Sequence, residues 1–122
     1  MYSSLNQPFS NYATRSDQSQ TEYFYQIATN IDLNSLPQKP LASDSYVVLG
    51  FCCDEGVKRN QGIPGAKFGP EAFRKSFYSM PCHKKDFNLF DAGNVFCETN
   101  DMELSQKTLA HCVEKILKLG AT

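Results

Sequence analysis

The chain has little of what would point to a ready-made partner. Its 12 lysines and arginines nearly balance 13 aspartates and glutamates, for a net charge of −1. That gives no basic footprint for nucleic acid and no acidic tail. The pairs Lys58-Arg59 and Lys84-Lys85 are ordinary solvated surface. No stretch comes near the roughly 18 apolar residues a membrane span needs. Residues 1–20 have no positive leader ahead of an apolar run, which speaks against a secretory signal. The five cysteines, at 52, 53, 82, 97 and 112, contain no CxxC pair. An odd count without that spacing fits neither a zinc knuckle nor a disulfide framework, so a reducing, cytoplasmic compartment and mostly buried thiols are expected. Cys52 and Cys53, neighbours near a strand end, should point to opposite faces. With only two histidines, no Ser/His/Asp or Cys/His arrangement can be assembled. Neither GxGxxG nor GxxxxGK[ST] occurs.

What is present reads as one domain by length, with a modest core if nearly all of it folds. Residues 1–20 are polar and rich in Ser, Asn and Gln, an arm or extended lead-in; residues 21–122 carry the domain pattern. Ser19 and Glu22 have capping-box spacing, and Phe24, Ile27 and Ile31 follow at helical intervals, predicting a short helix over about 21–30. The breaker-rich segment 36–44 is a connection. Tyr46 to Cys52 is a short, nearly continuous apolar run, suited to a strand buried on both faces. Gly69-Pro70 opens a second helix, Pro in its favoured first position, with Ala72, Phe73, Phe77 and Met80 on one face and Pro81 at its end. Phe87 to Phe90 is a second strand, and Asp91-Ala92-Gly93-Asn94 reads as a turn. From about Asp101 to Leu119 a third helix shows the stripe Leu109, Cys112, Val113 and Ile116, with Gly120 placed to terminate it. Strands alternating with helices imply a parallel α/β sheet, and two strands are too few to complete one.

Between the first long strand and the helix at Gly69 lies the most specified stretch. Gly56, Gly62, Gly65, Gly69, Pro64 and Pro70 all fall within it. Glycine permits close backbone approach, proline stiffens the path, and ligands of open α/β sheets bind beyond the carboxyl ends of strands. The loop is therefore expected to form the wall of a site.

Asp54-Glu55-Gly56-Val57-Lys58-Arg59-Asn60-Gln61-Gly62-Ile63-Pro64-Gly65-Ala66, followed by Phe68-Gly69-Pro70-Glu71-Ala72-Phe73-Arg74, resembles the first signature of the ureohydrolases. That family holds arginase, agmatinase and formimidoylglutamase. The pieces G-V-x-x-N-x-G, P-G-A and G-P-x-A-hydrophobic-R are most similar to the formimidoylglutamase branch. Asp91 to Val95 resembles its D-x-G-[DN]-V element, and Tyr12 to Asp17 an N-terminal R-x-D element. One departure stands out: Ile63 sits where the family commonly has an arginine, so any contribution of that arginine to substrate or loop anchoring is missing here.

The resemblance implies the N-terminal part of an arginase-like three-layer α/β/α parallel-sheet fold, incomplete in this chain. It implies a C–N hydrolase acting on a small amidine or guanidine through a hydroxide held by two Mn²⁺ ions, in a protein that can assemble as a homo-oligomer and takes neither nucleic acid nor membrane as partner. Arg59, Asn60, Gly62 and Gly65 become the candidate substrate-loop residues. The family's G-G-x-H, D-A-H-x-D and D-x-D metal elements are all absent, so no catalytic or metal-ligating residue is assigned, and the chain alone is expected to bind no catalytic manganese and to be inactive. His83 beside Lys84 and Lys85, and His111 three residues before Glu114, are read as surface. Asp54, Glu55 and Asp91 are read as hydrogen-bonding groups of loops. The alternatives are the agmatinase or arginase branch of the same family, or a non-enzymatic truncated remnant acting as an interaction module.

Overall fold

The structure, a computed structural model, describes residues 1–13, 22–35, 39–97 and 101–121. Ser19 of the expected capping box, and Arg15 and Asp17 of the R-x-D element, lie outside the described residues.

A mixed sheet is built around one strand. β1 (Tyr2–Ser3), β2 (Thr29–Asn30) and β3 (Ser45–Cys52) all pair with β4 (Asn88–Phe96). β3 runs parallel to β4 along nearly its whole length. β2, also parallel, meets Phe90 and Asp91, whereas β1 runs antiparallel against Asn94 and Val95. The two short strands thus share the edge of β4 that β3 leaves open. The expected all-parallel sheet of two strands is corrected to four strands with one antiparallel member. The first residues of the polar lead-in are tied to this edge. The Phe96 N–H donates to the Met1 carbonyl at 2.8 Å, and the Tyr2 hydroxyl donates to the Ala92 carbonyl while accepting from the Leu33 N–H at 3.1 Å.

The expected turn at Asp91–Asn94 is also corrected: these four residues lie inside β4. The register steps from Val48↔Asp91 to Gly50↔Asn94, so β4 carries one residue more than β3 there. Such a bulge needs a residue of unusual conformation, and Gly93 supplies it at φ +90°. A Cβ on Gly93 would lie 2.3 Å from the Ser3 carbonyl oxygen. The signals of a turn and of a bulge are the same residues, which is why the sequence misleads.

The described residues also form four α-helices: α1 (Phe24–Ile27), α2 (Glu55–Arg59), α3 (Gly69–Tyr78) and α4 (Met102–Lys118). α1 is shorter than expected because residues 29 and 30 pair with β4 instead. α4 follows the expectation closely. Asp101 caps it by accepting from the Leu104 N–H at 3.0 Å, Cys112 and Ile116 are buried, and Gly120 takes φ +102° beyond its end. These α4 side chains pack with Ile31, Leu33, Ala92 and Val95, joined by Val47, Leu49 and Phe51 of β3. Alternate strand residues serve a second cluster, in which Val48 and Leu89 meet Tyr12, Phe24, Phe77 and Tyr78. α3 corrects the sequence reading: Phe73 and Met80 are half exposed, and the face turned inward carries Arg74 and Tyr78, both with no exposed surface.

Candidate functional site

The inward face of α3 meets β4 in a buried polar cluster. Arg74 grips Asp91 with both arms, Nε to Oδ2 at 2.8 Å and Nη2 to Oδ1 at 3.0 Å. Its remaining N–H groups reach the Gly93 carbonyl at 2.8 Å and Asn94 Oδ1 at 2.7 Å. Asp91 also accepts from the Tyr78 hydroxyl at 2.5 Å and the Gly93 N–H at 2.8 Å. Neither charge touches water, so each depends on the other and on these hydrogen bonds. Burial, and then the bond to Asp91, push the Tyr78 phenol well above its ordinary value. At the rim, the Tyr12 hydroxyl donates to Glu71 Oε2 at 3.1 Å; burial and the Glu71 charge push it up to about 12. The bulge sets this geometry. With one extra residue in β4, Asn94 faces Arg74 and Val95 faces the α4 cluster; without it the two would change places.

Gly50 lets α3 approach β3, since a Cβ there would lie 2.1 Å from Asn94 Oδ1 and 2.7 Å from Pro70 Cβ. The glycine-rich loop begins two residues past β3. Asp54 is its anchor: though buried, its Oδ1 accepts from the Lys67 N–H at 2.6 Å and the Gly65 N–H at 3.2 Å, pulling the far limb of the loop back to its root. Beyond the carboxyl ends of β3 and β4 lies a small polar pocket of about 160 Å³, lined by Cys53, Cys97, Asp54, Glu55, Lys58 and Lys67 among others. This is where a sheet of this kind takes ligands.

The four candidate loop residues stand outside this pocket's lining. Arg59, Asn60, Gly62 and Gly65 are all exposed. Arg59 joins α2 to α4, reaching Glu103 Oε1 at 2.6 Å and Glu55 Oε1 at 3.2 Å; those bonds hold the Glu103 carboxyl below its ordinary range. Asn60 closes α2, its N–H donating to the Gly56 carbonyl. The Gly62 N–H donates to the Val57 carbonyl at 2.8 Å, and Val57 leaves no room for a Cβ there. Ile63 is 91% exposed. His83 and His111 are exposed, as expected. Among the described residues no three histidine, cysteine or carboxylate side chains gather as a metal site requires.

Sequence reasoning missed the Arg74–Tyr78–Asp91 cluster. Arg74 is noticed only as the end of a pattern, and Asp91 as a hydrogen-bonding residue of a turn rather than as the buried partner of Arg74 in a strand. The available signal was the spacing of Arg74 and Tyr78, four apart on one helix face.

A parallel strand pair whose carboxyl ends carry a glycine-rich loop and a polar pocket defines an α/β protein with a sheet-end site. The chain belongs to the arginase family, which residues 44–122 match. It is similar to several formimidoylglutamases. Over 122 residues it is 36% identical to that of Clostridium tetani, covering 98% of this chain and 36% of the relative. Over 76 residues it is 49% identical to that of Cupriavidus pinatubonensis, covering 62% and 24%. Over 100 residues it is 40% identical to that of Legionella pneumophila strain Lens, covering 81% and 30%. The chain thus spans between 24% and 36% of the length of these curated relatives.

Proposed function

We propose that this chain is the N-terminal part of a manganese-dependent ureohydrolase of the formimidoylglutamase type, hydrolysing N-formimino-L-glutamate to glutamate and formamide in histidine breakdown. On this reading the sheet is part of a three-layer α/β/α domain, and residues 54–70 form one wall of the active site, with Arg59, Asn60, Gly62 and Gly65 on its substrate-facing side in the assembled enzyme. The observation that carries it is the anchored glycine loop at the carboxyl end of β3, in a segment 36–49% identical to formimidoylglutamases. The described residues do not fit a dinuclear manganese site: His83 and His111 lie exposed on separate elements, and no cluster of three ligating side chains exists among them. The metal ligands would come from sequence outside these 122 residues, and with them the chemistry of a metal-activated hydroxide. The protein would act in the cytoplasm on a small amidine, with neither nucleic acid nor membrane as partner, and could assemble as a homo-oligomer.

The test compares a longer parent chain with residues 1–122, each supplied with Mn²⁺ and offered formiminoglutamate, agmatine or arginine. The parent should release formamide from formiminoglutamate, and the short chain should be silent. Manganese-dependent turnover by residues 1–122 alone would overturn the reading. Preference of the parent for agmatine or arginine would move it to those branches of the family. A second reading, a non-enzymatic interaction module, draws on the open side of β3, whose only strand partner among the described residues is β4.

A further inference from the structure

The polar pocket at the sheet end contains a pair of cysteines that the hydrolase reading does not use. β3 and β4 run in register through Phe51↔Val95 and Cys52↔Phe96. The ladder goes one step further, the Cys97 N–H donating to the Cys52 carbonyl at 3.1 Å. Cys53 and Cys97 are therefore the next facing pair. Adjacent strands lie about 4.8 Å apart, which is inside the roughly 4.4–6.8 Å that a disulfide spans between Cα atoms. The pleat puts both side chains on the same side of the sheet, and both line the same pocket. Both are partly exposed, so a small oxidant can reach them. The other cysteines are placed differently. Cys52 also borders the pocket, but as the neighbour of Cys53 on the strand it turns its side chain to the opposite face, where Arg74 and Glu71 act on it. Cys112 is buried on α4, and Cys82 lies just past the end of α3.

We propose that Cys53 and Cys97 form a thiol–disulfide site, whose oxidation ties the root of the glycine loop to the end of β4. The oxidant is a low-molecular-weight disulfide such as glutathione disulfide. One cysteine thiolate attacks a sulfur of it, forming a mixed disulfide and releasing one glutathione thiolate. The second cysteine then attacks the protein sulfur of that mixed disulfide, forming the Cys53–Cys97 bond and releasing the second glutathione. Two protein thiols are oxidised, and one glutathione disulfide is reduced to two glutathiones. Exchange needs the thiolate. Burial, and then the Cys97 thiol, push Cys53 above its ordinary value, among pocket charges that include Asp54, Glu55, Lys58 and Lys67. The bond should therefore form slowly at neutral pH and faster as pH rises. Because Asp54, the loop's anchor, is the next residue, the bond restrains the loop where it begins.

The experiment incubates the 122-residue chain with excess glutathione disulfide, blocks remaining thiols by alkylation, and maps tryptic peptides without reduction. The expected product has lost two of its five free thiols. It joins the peptide ending at Lys58 to the peptide from Asp86 to Lys107, separates on dithiothreitol, and melts at a higher temperature. Cys52 and Cys53 share a peptide, so variants assign the bond: Cys52→Ser should keep the cross-link, whereas Cys53→Ser and Cys97→Ser should lose it. Persistence of the cross-link in Cys53→Ser, glutathione adducts without an internal bond, or five thiols still free would each overturn the proposal. Fragmentation of the wild-type cross-linked peptide between Cys52 and Cys53 decides even if a variant folds poorly.

Discussion

Asp91 accepts four hydrogen bonds where no water reaches it, and three come from residues of α3. Its partner Arg74 has no other anion within bonding range among the described residues. Removing one member of such a pair leaves the other charged, buried and uncompensated, which costs roughly 3–5 kcal/mol. Asp91→Ala should therefore lower the urea midpoint of the chain steeply. Glu114→Gln, which breaks the exposed Lys118–Glu114 pair on α4, should leave the midpoint unchanged, because exposed pairs contribute little. Equal, small shifts in both variants would show that the buried pair does not hold α3 to the sheet. None of this was legible in the sequence. A buried arginine and a surface arginine look alike in one chain, and Asp91-Ala92-Gly93-Asn94 carries turn chemistry that β4 uses for a bulge.

Elements were legible where local pattern and tertiary demand agree. β3 falls almost where its β-branched run predicts. α3 starts at Gly69-Pro70, and α4 has the expected extent and glycine stop, with Cys112 and Ile116 of its expected stripe buried but Val113 exposed. β1 and β2 were not legible, because strands of two residues exist only through the edge of β4 they pair with. The glycine loop was legible as a specified element and Asp54 as one of its hydrogen-bonding groups; its partners were not, because only the fold brings Gly65 and Lys67 onto its Oδ1. That anchor makes the loop's order a property of one side chain. Asp54→Ala should free the far limb and raise the frequency of local opening. Trypsin should then cut after Lys58, Arg59 and Lys67 several-fold faster than in the unsubstituted chain, with the helical signal of α4 retained. Unchanged cleavage rates would mean that the prolines and glycines hold the loop by themselves.

At the scale of the whole molecule, the sheet is unevenly finished. β4 is covered on one edge by β1 and β2 and on the other by β3, whereas β3, eight residues long, has β4 as its only strand partner among the described residues. Beside β3 lies a groove of about 430 Å³ formed with Gly69, Pro70 and Phe73, and Phe68, Phe73 and Met80 are more than half exposed nearby. A strand of this length with no strand on its outer side among the described residues is a template for another strand. The 122-residue chain should therefore associate as its concentration rises, seen as a growing average mass in sedimentation velocity. Tyr46→Lys should reduce the association, since a charged residue on an edge strand discourages pairing; Tyr46 is 41% exposed and packs mainly on Phe87, so the substitution spares the core. A longer chain in which a further strand pairs with β3 should lack this concentration dependence or show only a fixed oligomer. A short chain that stays monomeric at every concentration would mean that the outer side of β3 is already protected, and the case for an unfinished sheet would fall with it.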